Sequence, residues 1–210
     1  MTKKINTLNA VKSYYSEKIS RHGASPEGVD WNGVDSQNIR FEQLSKILPT
    51  DLTQAFSLND LGCGYAALVD FLKQSRPNFH YTGYDLSPEM IEHGIDRNNQ
   101  YDEVKFYCSD RLTEEADFSI ASGIFSVKLD EDDGIWLDHI KSVLENLNDL
   151  SVKGFAFNCL TKYSDAEKMR PHLYYADPSE IFDYCKRNYS RNVALLHDYD
   201  LYEFTILVRK

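Results

Sequence analysis

Residues 60–66 read Asp-Leu-Gly-Cys-Gly-Tyr-Ala and follow directly on the apolar segment that begins at Phe56. That segment predicts a short β-strand, and the run from Tyr65 to Gln74 predicts a helix immediately after it. Glycines at such a turn let the backbone pass close to a ligand, and a helix N-terminus favours polar or anionic groups. The match to the G-x-G-x-x-G dinucleotide fingerprint is imperfect, because Ala67 stands in place of the third glycine.

Two further polar turns follow the next two predicted strands. The segment Phe79–Asp85 predicts the second strand and ends on a carboxylate about 20 residues after Gly64, the spacing of a ribose-binding acid. The segment Val104–Cys108 predicts the third strand and is followed by Ser109 and Asp110. An acid at the first turn can accept hydrogen bonds from a ribose diol, and the polar pair can hold an adenine edge. The three turns together predict a site for an adenosine-type cofactor.

Strands and helices alternate along most of the chain, which predicts a mostly parallel sheet with helices on both faces. The remaining predicted elements are helices at 5–20, 36–48 and 135–150, a helix that starts at Ser87, and strands at 118–125 and 154–160. The alternation ends with two strands, 192–197 and 202–208, that are separated by four residues. Because so short a connection cannot make a parallel crossover, these strands are predicted to pair as an antiparallel hairpin. The fold class is therefore α/β, with seven strands.

Composition limits the classes of function. The 210 residues are 42% hydrophobic and 27% charged, with a formal net charge of −10. The length and composition predict one globular domain, 1–210. Within it, the predicted helices at the start of the chain suggest an N-terminal helical cap at 1–50, and the core is 51–210. A surface this acidic repels nucleic acid and anionic lipid, so neither is an expected partner. The chain has no apolar run of membrane length and no secretory leader pattern, and we expect it in the cytoplasm.

Two cofactor classes fit an adenosine site, nicotinamide dinucleotides and S-adenosylmethionine. Asp60 stands just before the glycine turn, where its carboxylate suits a ligand with an ammonium and a sulfonium group better than a pyrophosphate. The missing third glycine and the terminal hairpin also argue against a dinucleotide domain. A nicotinamide-dependent oxidoreductase is kept as the weaker alternative.

The motifs Asp60–Gly64 and Tyr84–Met90, together with the terminal hairpin, resemble those of class I S-adenosylmethionine-dependent methyltransferases of the bacterial small-molecule type. The resemblance covers residues 36–210. It implies a Rossmann-like fold, S-adenosylmethionine as cofactor and methyl transfer as the reaction. The residues for which it implies contact with the cofactor are Asp60, Gly62, Cys63, Gly64, Asp85, Leu86, Met90, Ser109, Asp110, Ser122, Arg40 and Gln37.

The carboxyl-terminal part of the fourth predicted strand argues against two acceptor classes. It reads Ala121-Ser-Gly-Ile-Phe125, whereas related enzymes that methylate exocyclic nucleobase amines or glutamine amides carry Asn/Asp-Pro-Pro-aromatic there. The acidic run 130–133 is contiguous and lacks the spacing of a metal-ligand set. The four cysteines likewise show no zinc-site spacing, and no metal is expected.

Two additions to the core are predicted to roof an acceptor pocket. They are the N-terminal segment and the long, aromatic-rich connection 161–178 after the fifth strand, which we interpret as a substrate lid. Tyr14 and Tyr15 are adjacent on a helix, so only one of them is expected to close over the cofactor. The catalytic candidates are His172, Tyr14 and Asn158. The candidate substrate contacts are Tyr15, Trp31, Tyr163, Arg170, Tyr174 and Tyr175.

These observations predict methyl transfer to an oxygen or nitrogen of a small polar metabolite, such as a sugar or a secondary metabolite. A general base is needed only if the acceptor atom arrives protonated, so the lack of a catalytic triad is uninformative. The alternative from another class is a cofactor-binding module without catalysis, or a subunit that supports a partner. The expected state is a monomer or homodimer.

Overall fold

A computed structural model describes residues 2–29 and 33–210. Its centre is a seven-stranded sheet with the order β3-β2-β1-β4-β5-β7-β6. The strands are β1 Phe56–Leu61, β2 Phe79–Asp85, β3 Val104–Cys108, β4 Ala116–Ala121, β5 Ser151–Leu160, β6 Asn192–Leu196 and β7 Glu203–Arg209. The first five strands pair in parallel, and β7 pairs antiparallel with both β5 and β6. The predicted parallel sheet with an antiparallel hairpin is confirmed.

Helices cover both faces of this sheet. They are α1 Thr2–His22, α2 Val34–Ser45, α3 Ala67–Lys73, α4 Pro88–Asn98, α5 Asp133–Asp149 and α6 Pro178–Asn188, with short 3-10 turns at Pro26–Val29 and Ala166–Lys168. Side chains alternate across β5, so that Phe155 and Phe157 pack under α5 and Ala156 packs on the opposite face. None of the helices within 2–29 and 33–210 has the length and apolar character needed to cross a membrane.

The fourth strand is shorter than its sequence predicts. It ends at Ala121, whereas the apolar pattern predicted a strand to Phe125. Gly123 has a φ of 77° and its N–H is bonded to a side chain, so the chain leaves the sheet there. Phe125 is nevertheless buried in the core, and its carbonyl accepts a hydrogen bond of 2.9 Å from Trp136 Nε1. The apolar pattern extended to Phe125 because this loop residue is buried, and not because the strand is longer.

Two helix boundaries also differ from the sequence pattern. Helix α3 starts at Ala67 and not at Tyr65, because Ala66 before it has the left-handed φ of 64°. Helix α6 was not predicted at all, although it carries recognisable start signals. The Asp177 side chain accepts a hydrogen bond from Ser179 N, and Pro178 occupies the first turn.

The connection after β5 is attached to the loop that follows β4. The carbonyl oxygen of His172 accepts hydrogen bonds from Lys128 N and Leu129 N, at 3.1 and 3.0 Å. Tyr174 N donates to Ser126 O at 2.8 Å. These bonds hold the connection above the carboxyl ends of β4 and β5, where ligands bind in open α/β sheets.

Candidate active site

A cavity of about 870 Å³ lies at the carboxyl ends of the parallel strands, beneath α1 and the connection after β5. Small-molecule sites in proteins have volumes of roughly 300–1,000 Å³. All twelve residues for which the sequence implied cofactor contact line this one cavity: Gln37, Arg40, Asp60, Gly62, Cys63, Gly64, Asp85, Leu86, Met90, Ser109, Asp110 and Ser122. The structure thus brings together residues from α2, β1, β2, α4 and the turns after β3 and β4.

The turn after β1 requires glycine at positions 62 and 64, for reasons of backbone conformation and, at Gly62, of space. Gly62 has a φ of 75° and Gly64 a φ of 53°, both in the region that side chains rarely adopt. A Cβ on Gly62 would lie 2.1 Å from Ile124 Cγ2. The turn is also bonded to the end of β2, since Gly62 N and Cys63 N both donate to Tyr84 O. The turn therefore presents bare backbone to the cavity.

Asp85 ends β2 as a carboxylate whose two oxygens are oriented by backbone donors. Oδ2 accepts a hydrogen bond from Gly64 N and Oδ1 accepts one from Ser87 N, each at 2.9 Å. Burial raises the pKa of Asp85, and the hydrogen bonds from Ser87, Gly64 and Leu86 N–H groups oppose that rise. In this position and orientation, the Asp85 carboxylate can accept hydrogen bonds from the two hydroxyl groups of a diol.

Asp60 is a second carboxylate in the cavity wall. Its side chain is buried, and its Oδ2 accepts a 2.6 Å hydrogen bond from Tyr81 Oη. Burial raises the pKa of Asp60 to about 7; the Tyr81 hydrogen bond opposes the rise, and the charge of Asp85 adds to it. Two carboxylates in a buried wall favour a ligand with a positive centre and disfavour a pyrophosphate.

Ser122 and Cys63 complete the wall. Ser122 Oγ is buried and has no hydrogen-bond partner among residues 2–29 and 33–210, so a ligand in the cavity can supply one. Burial raises the pKa of the Cys63 thiol well above its usual value, which makes it an inert packing group and not a nucleophile. The glycine turn, the two carboxylates and the unpartnered hydroxyl fit a cofactor that combines a cationic centre with hydrogen-bonding groups.

Arg40 reaches the cavity from α2 in an arrangement that the sequence did not predict. Its Nε lies 2.9 Å from both carboxylate oxygens of Glu203, and its Nη2 also donates to Glu203 Oε1. Glu203 is buried and lines the cavity. The sequence signal that could have indicated this pair is Glu203 itself, an acidic residue at the start of the otherwise apolar strand β7. Gln37, one turn earlier on α2, accepts a 3.2 Å hydrogen bond from Tyr65 Oη.

Asn158 corrects one prediction about catalysis. Its Nδ2 donates to Glu203 Oε2 at 2.6 Å, and its Oδ1 accepts from Gly123 N at 2.7 Å. It is buried and is not part of the cavity lining. The structure therefore places this catalytic candidate behind the wall, where it ties β5 to β7 and to the loop after β4.

The roof holds both tyrosines of α1. Tyr14 and Tyr15 both line the cavity, with their rings 5.3 Å apart in an edge-on arrangement, so the expectation that only one would face inward is wrong. The cavity is wide enough to run along two adjacent positions of α1. His172 and Arg170 line it from the connection, and the His172 ring lies 6.5 Å from the ring of Tyr14. Trp31 lies outside the described residues.

Three tyrosines that were proposed as substrate contacts are elsewhere. Tyr163 is 64% exposed to solvent, and Tyr174 is buried in the hydrophobic core. Tyr175 Oη accepts a 2.9 Å hydrogen bond from Arg170 N. None of the three lines the cavity within the described residues. Tyr174 thus packs the connection against the core, and Tyr175 supports Arg170 within the connection. Five further residues line the cavity that the sequence did not predict as site residues: Lys12, Lys18, His139, Lys168 and Glu203.

Comparison with known proteins agrees with this site. A family model described as a methyltransferase domain matches residues 59–151. Rv1506c of Mycobacterium tuberculosis (strain ATCC 25618 / H37Rv), which is named as a methyltransferase, is 57% identical over 155 residues, covering 74% of this chain and 93% of that protein.

Solved structures show the same fold at low identity. A complex of DhpI with SAM and HEP is 14% identical, with a TM-score of 0.68, and the match covers 97% of this chain and 98% of that one. The N-methyltransferase NodS from Bradyrhizobium japonicum WM9, bound to S-adenosyl-L-homocysteine, is 13% identical with a TM-score of 0.67, covering 95% and 97%.

The predicted fold, cofactor and reaction class are confirmed together. The neighbours are Rossmann-like methyltransferases, two of them with the cofactor or its product bound, and the cavity residues of this chain fit the same group. S-adenosylmethionine is therefore the cofactor, and the nicotinamide alternative has no support. On its sequence, fold and cavity, the chain belongs to the class I S-adenosylmethionine-dependent methyltransferases.

Proposed function

We propose that this enzyme methylates an oxygen or nitrogen atom of a small polar metabolite. One observation carries the proposal: a single cavity of about 870 Å³ joins the cofactor residues to a roof built by α1 and the connection after β5. Its volume is that of a small-molecule site. The net charge of −10 also disfavours nucleic acid as acceptor. Sugars and secondary metabolites are the first acceptors to test, and we place the enzyme in the cytoplasm.

The cofactor side of the cavity would be held by residues at the strand ends. Asp85 would bind the ribose hydroxyls, Ser109 and Asp110 the adenine, and the turn Asp60–Gly64 the methionine portion. When bound, S-adenosylmethionine supplies a methyl group on a positively charged sulfur. The buried carboxylate of Asp60 stabilises positive charge on that side of the cavity.

The roof would orient the acceptor and exclude water, the two contributions that a displacement at an activated methyl group needs. We assign residues 1–50 as the cap and 161–178 as the lid. Tyr14 and Tyr15 would cover the cavity from α1. His172, which lines it from the lid, is the group that could accept a proton from an acceptor hydroxyl.

The test is to incubate the enzyme with methyl-labelled S-adenosylmethionine and a bacterial extract separated into low-mass, protein and nucleic-acid fractions. We expect label in the low-mass fraction. His172→Gln should lower turnover about 100-fold if the histidine is a general base, with unchanged affinity for S-adenosylhomocysteine. His80→Gln, an exposed position on β2, is the matched control and should have no effect. Label that enters only protein or nucleic acid would overturn the proposal.

A further inference from the structure

We infer that the methyl acceptor carries an anionic group, a carboxylate or a phosphate, that binds to cationic side chains on the roof side of the cavity. This inference rests on the proposed function and specifies its substrate class. Four cations line the cavity from the two roof elements, namely Lys12 and Lys18 from α1 and Lys168 and Arg170 from the connection. The chain as a whole has a net charge of −10, so four cations on the roof side of one cavity favour a negatively charged ligand there.

Charges within the described part of the cavity are sorted by side. Asp60, Asp85 and Asp110 lie at the ends of β1 to β3, on the cofactor side. The remaining carboxylate of the lining, Glu203, is bound by the guanidinium of Arg40. Among the described lining residues, the roof side therefore carries cations and no carboxylate, an arrangement that attracts anions. The carboxyl of Glu89, which interacts with the charge of Lys12, lies outside the lining.

Arg170 is held in place but is not neutralised. Its Nη1 donates to the carbonyl oxygens of Glu167 and Met169, at 2.9 and 3.1 Å, and its backbone N–H donates to Tyr175 Oη. Among the ion pairs that the described residues form, none includes Arg170 or Lys12. A planar guanidinium on a fixed segment matches the geometry of a carboxylate or phosphate.

The two roof elements would meet at the anion. Lys12 approaches from α1 and Arg170 from the connection, whose neighbour His172 is bonded through its carbonyl to the loop after β4. Lys168 contributes less, because its Nζ already donates to Tyr202 Oη at 3.1 Å. Binding of an anion would thus bring positive groups of both elements onto one ligand. A neutral acceptor would make no such charge-assisted contact with Lys12 or Arg170.

The binding test uses enzyme saturated with S-adenosylhomocysteine and titrates it separately with inorganic phosphate and with acetate. Calorimetry at constant ionic strength gives the affinity of each probe, and the better probe identifies the anion. We expect Arg170→Gln and Lys12→Gln each to weaken that affinity about tenfold, the size of one hydrogen bond to a charged group. Lys105→Gln removes an exposed lysine on β3, outside the cavity, and is the matched control.

A second readout compares methylation of 4-hydroxybenzoate with that of 4-hydroxybenzamide, which differ in charge but not in the hydroxyl acceptor. The inference expects the anion to be the better substrate, by about tenfold, with the preference lost in Arg170→Gln. If S-adenosylhomocysteine itself does not bind, the proposed function fails. If it binds but neither probe does, or if Lys105→Gln weakens the probes equally, only the anionic acceptor is excluded.

Discussion

Acidification should weaken binding of S-adenosylmethionine through Asp60. The pKa of this carboxyl is about 7, because burial outweighs the hydrogen bond from Tyr81. Between pH 8 and pH 6, its ionised fraction falls from about 0.9 to about 0.1. If the cationic cofactor binds only the ionised form, its dissociation constant rises about tenfold over this interval, by linkage.

The assay is isothermal titration calorimetry of S-adenosylmethionine at pH 6, 7 and 8, in two buffers of different ionisation enthalpy. At pH 6, the wild-type enzyme should release about 0.9 proton from Asp60 on binding. Asp60→Asn keeps an oxygen that can accept from Tyr81 Oη but cannot titrate. It also retains the other titrating groups, including the amino group of the ligand and Asp85, so the difference between the two proteins reports the titration of Asp60 together with its charge coupling to Asp85. Equal pH slopes in wild type and variant would refute the reasoning.

Three further results are expected. Glu203→Gln should cost about 3–5 kcal/mol in urea denaturation, because it leaves the guanidinium of Arg40 without its buried partner; a loss below about 1 kcal/mol would speak against a structural role for the pair. Gly62→Ala should cost about 1–3 kcal/mol and abolish calorimetric binding of S-adenosylhomocysteine, since its φ is 75° and the new Cβ would lie 2.1 Å from Ile124 Cγ2; wild-type melting and binding would contradict this. In the ligand-free protein, the contribution of Asp60 to stability should fall by roughly 3 kcal/mol as pH rises from 4 to 7, because the pKa of Asp60 is higher in the folded state, about 7, than its usual value of 3.8; an unchanged slope in Asp60→Asn would exclude this origin.

The sheet could be predicted because the sequence signals for each strand lie within the strand or directly next to it. Each parallel strand ends on a polar turn, and the spacing of β6 and β7 allows only an antiparallel pairing. The extent of β4 could not be predicted, since Phe125 is buried from a loop, against Trp136 of α5 and the ring of Phe157 on β5, and not by strand pairing. Helix α6 was missed because the aromatic content of the preceding segment had suggested one long connection, although Asp177 and Pro178 mark the helix start.

Most of the residues predicted to contact the cofactor lie in local turn motifs, and all twelve line one cavity. The acceptor side is not confined to such motifs, because it is assembled from segments far apart in the chain. The pairing of Arg40 with Glu203 spans 163 positions and gives no sequence signal. The inward position of Lys12 depends on how α1 lies over the sheet, and the outward position of Tyr163 on how the connection folds back. Such tertiary placements are invisible to periodicity and spacing.

We propose that this cavity binds S-adenosylmethionine through the turns after β1 and β2. The most direct measurement is calorimetric titration of the wild-type enzyme and Asp85→Ala with S-adenosylhomocysteine and with NAD. We expect the wild type to bind S-adenosylhomocysteine and not NAD. The variant should bind S-adenosylhomocysteine at least tenfold more weakly, because a charged hydrogen-bond acceptor is lost. Binding of NAD alone, or undiminished binding of S-adenosylhomocysteine by Asp85→Ala, would contradict the proposal.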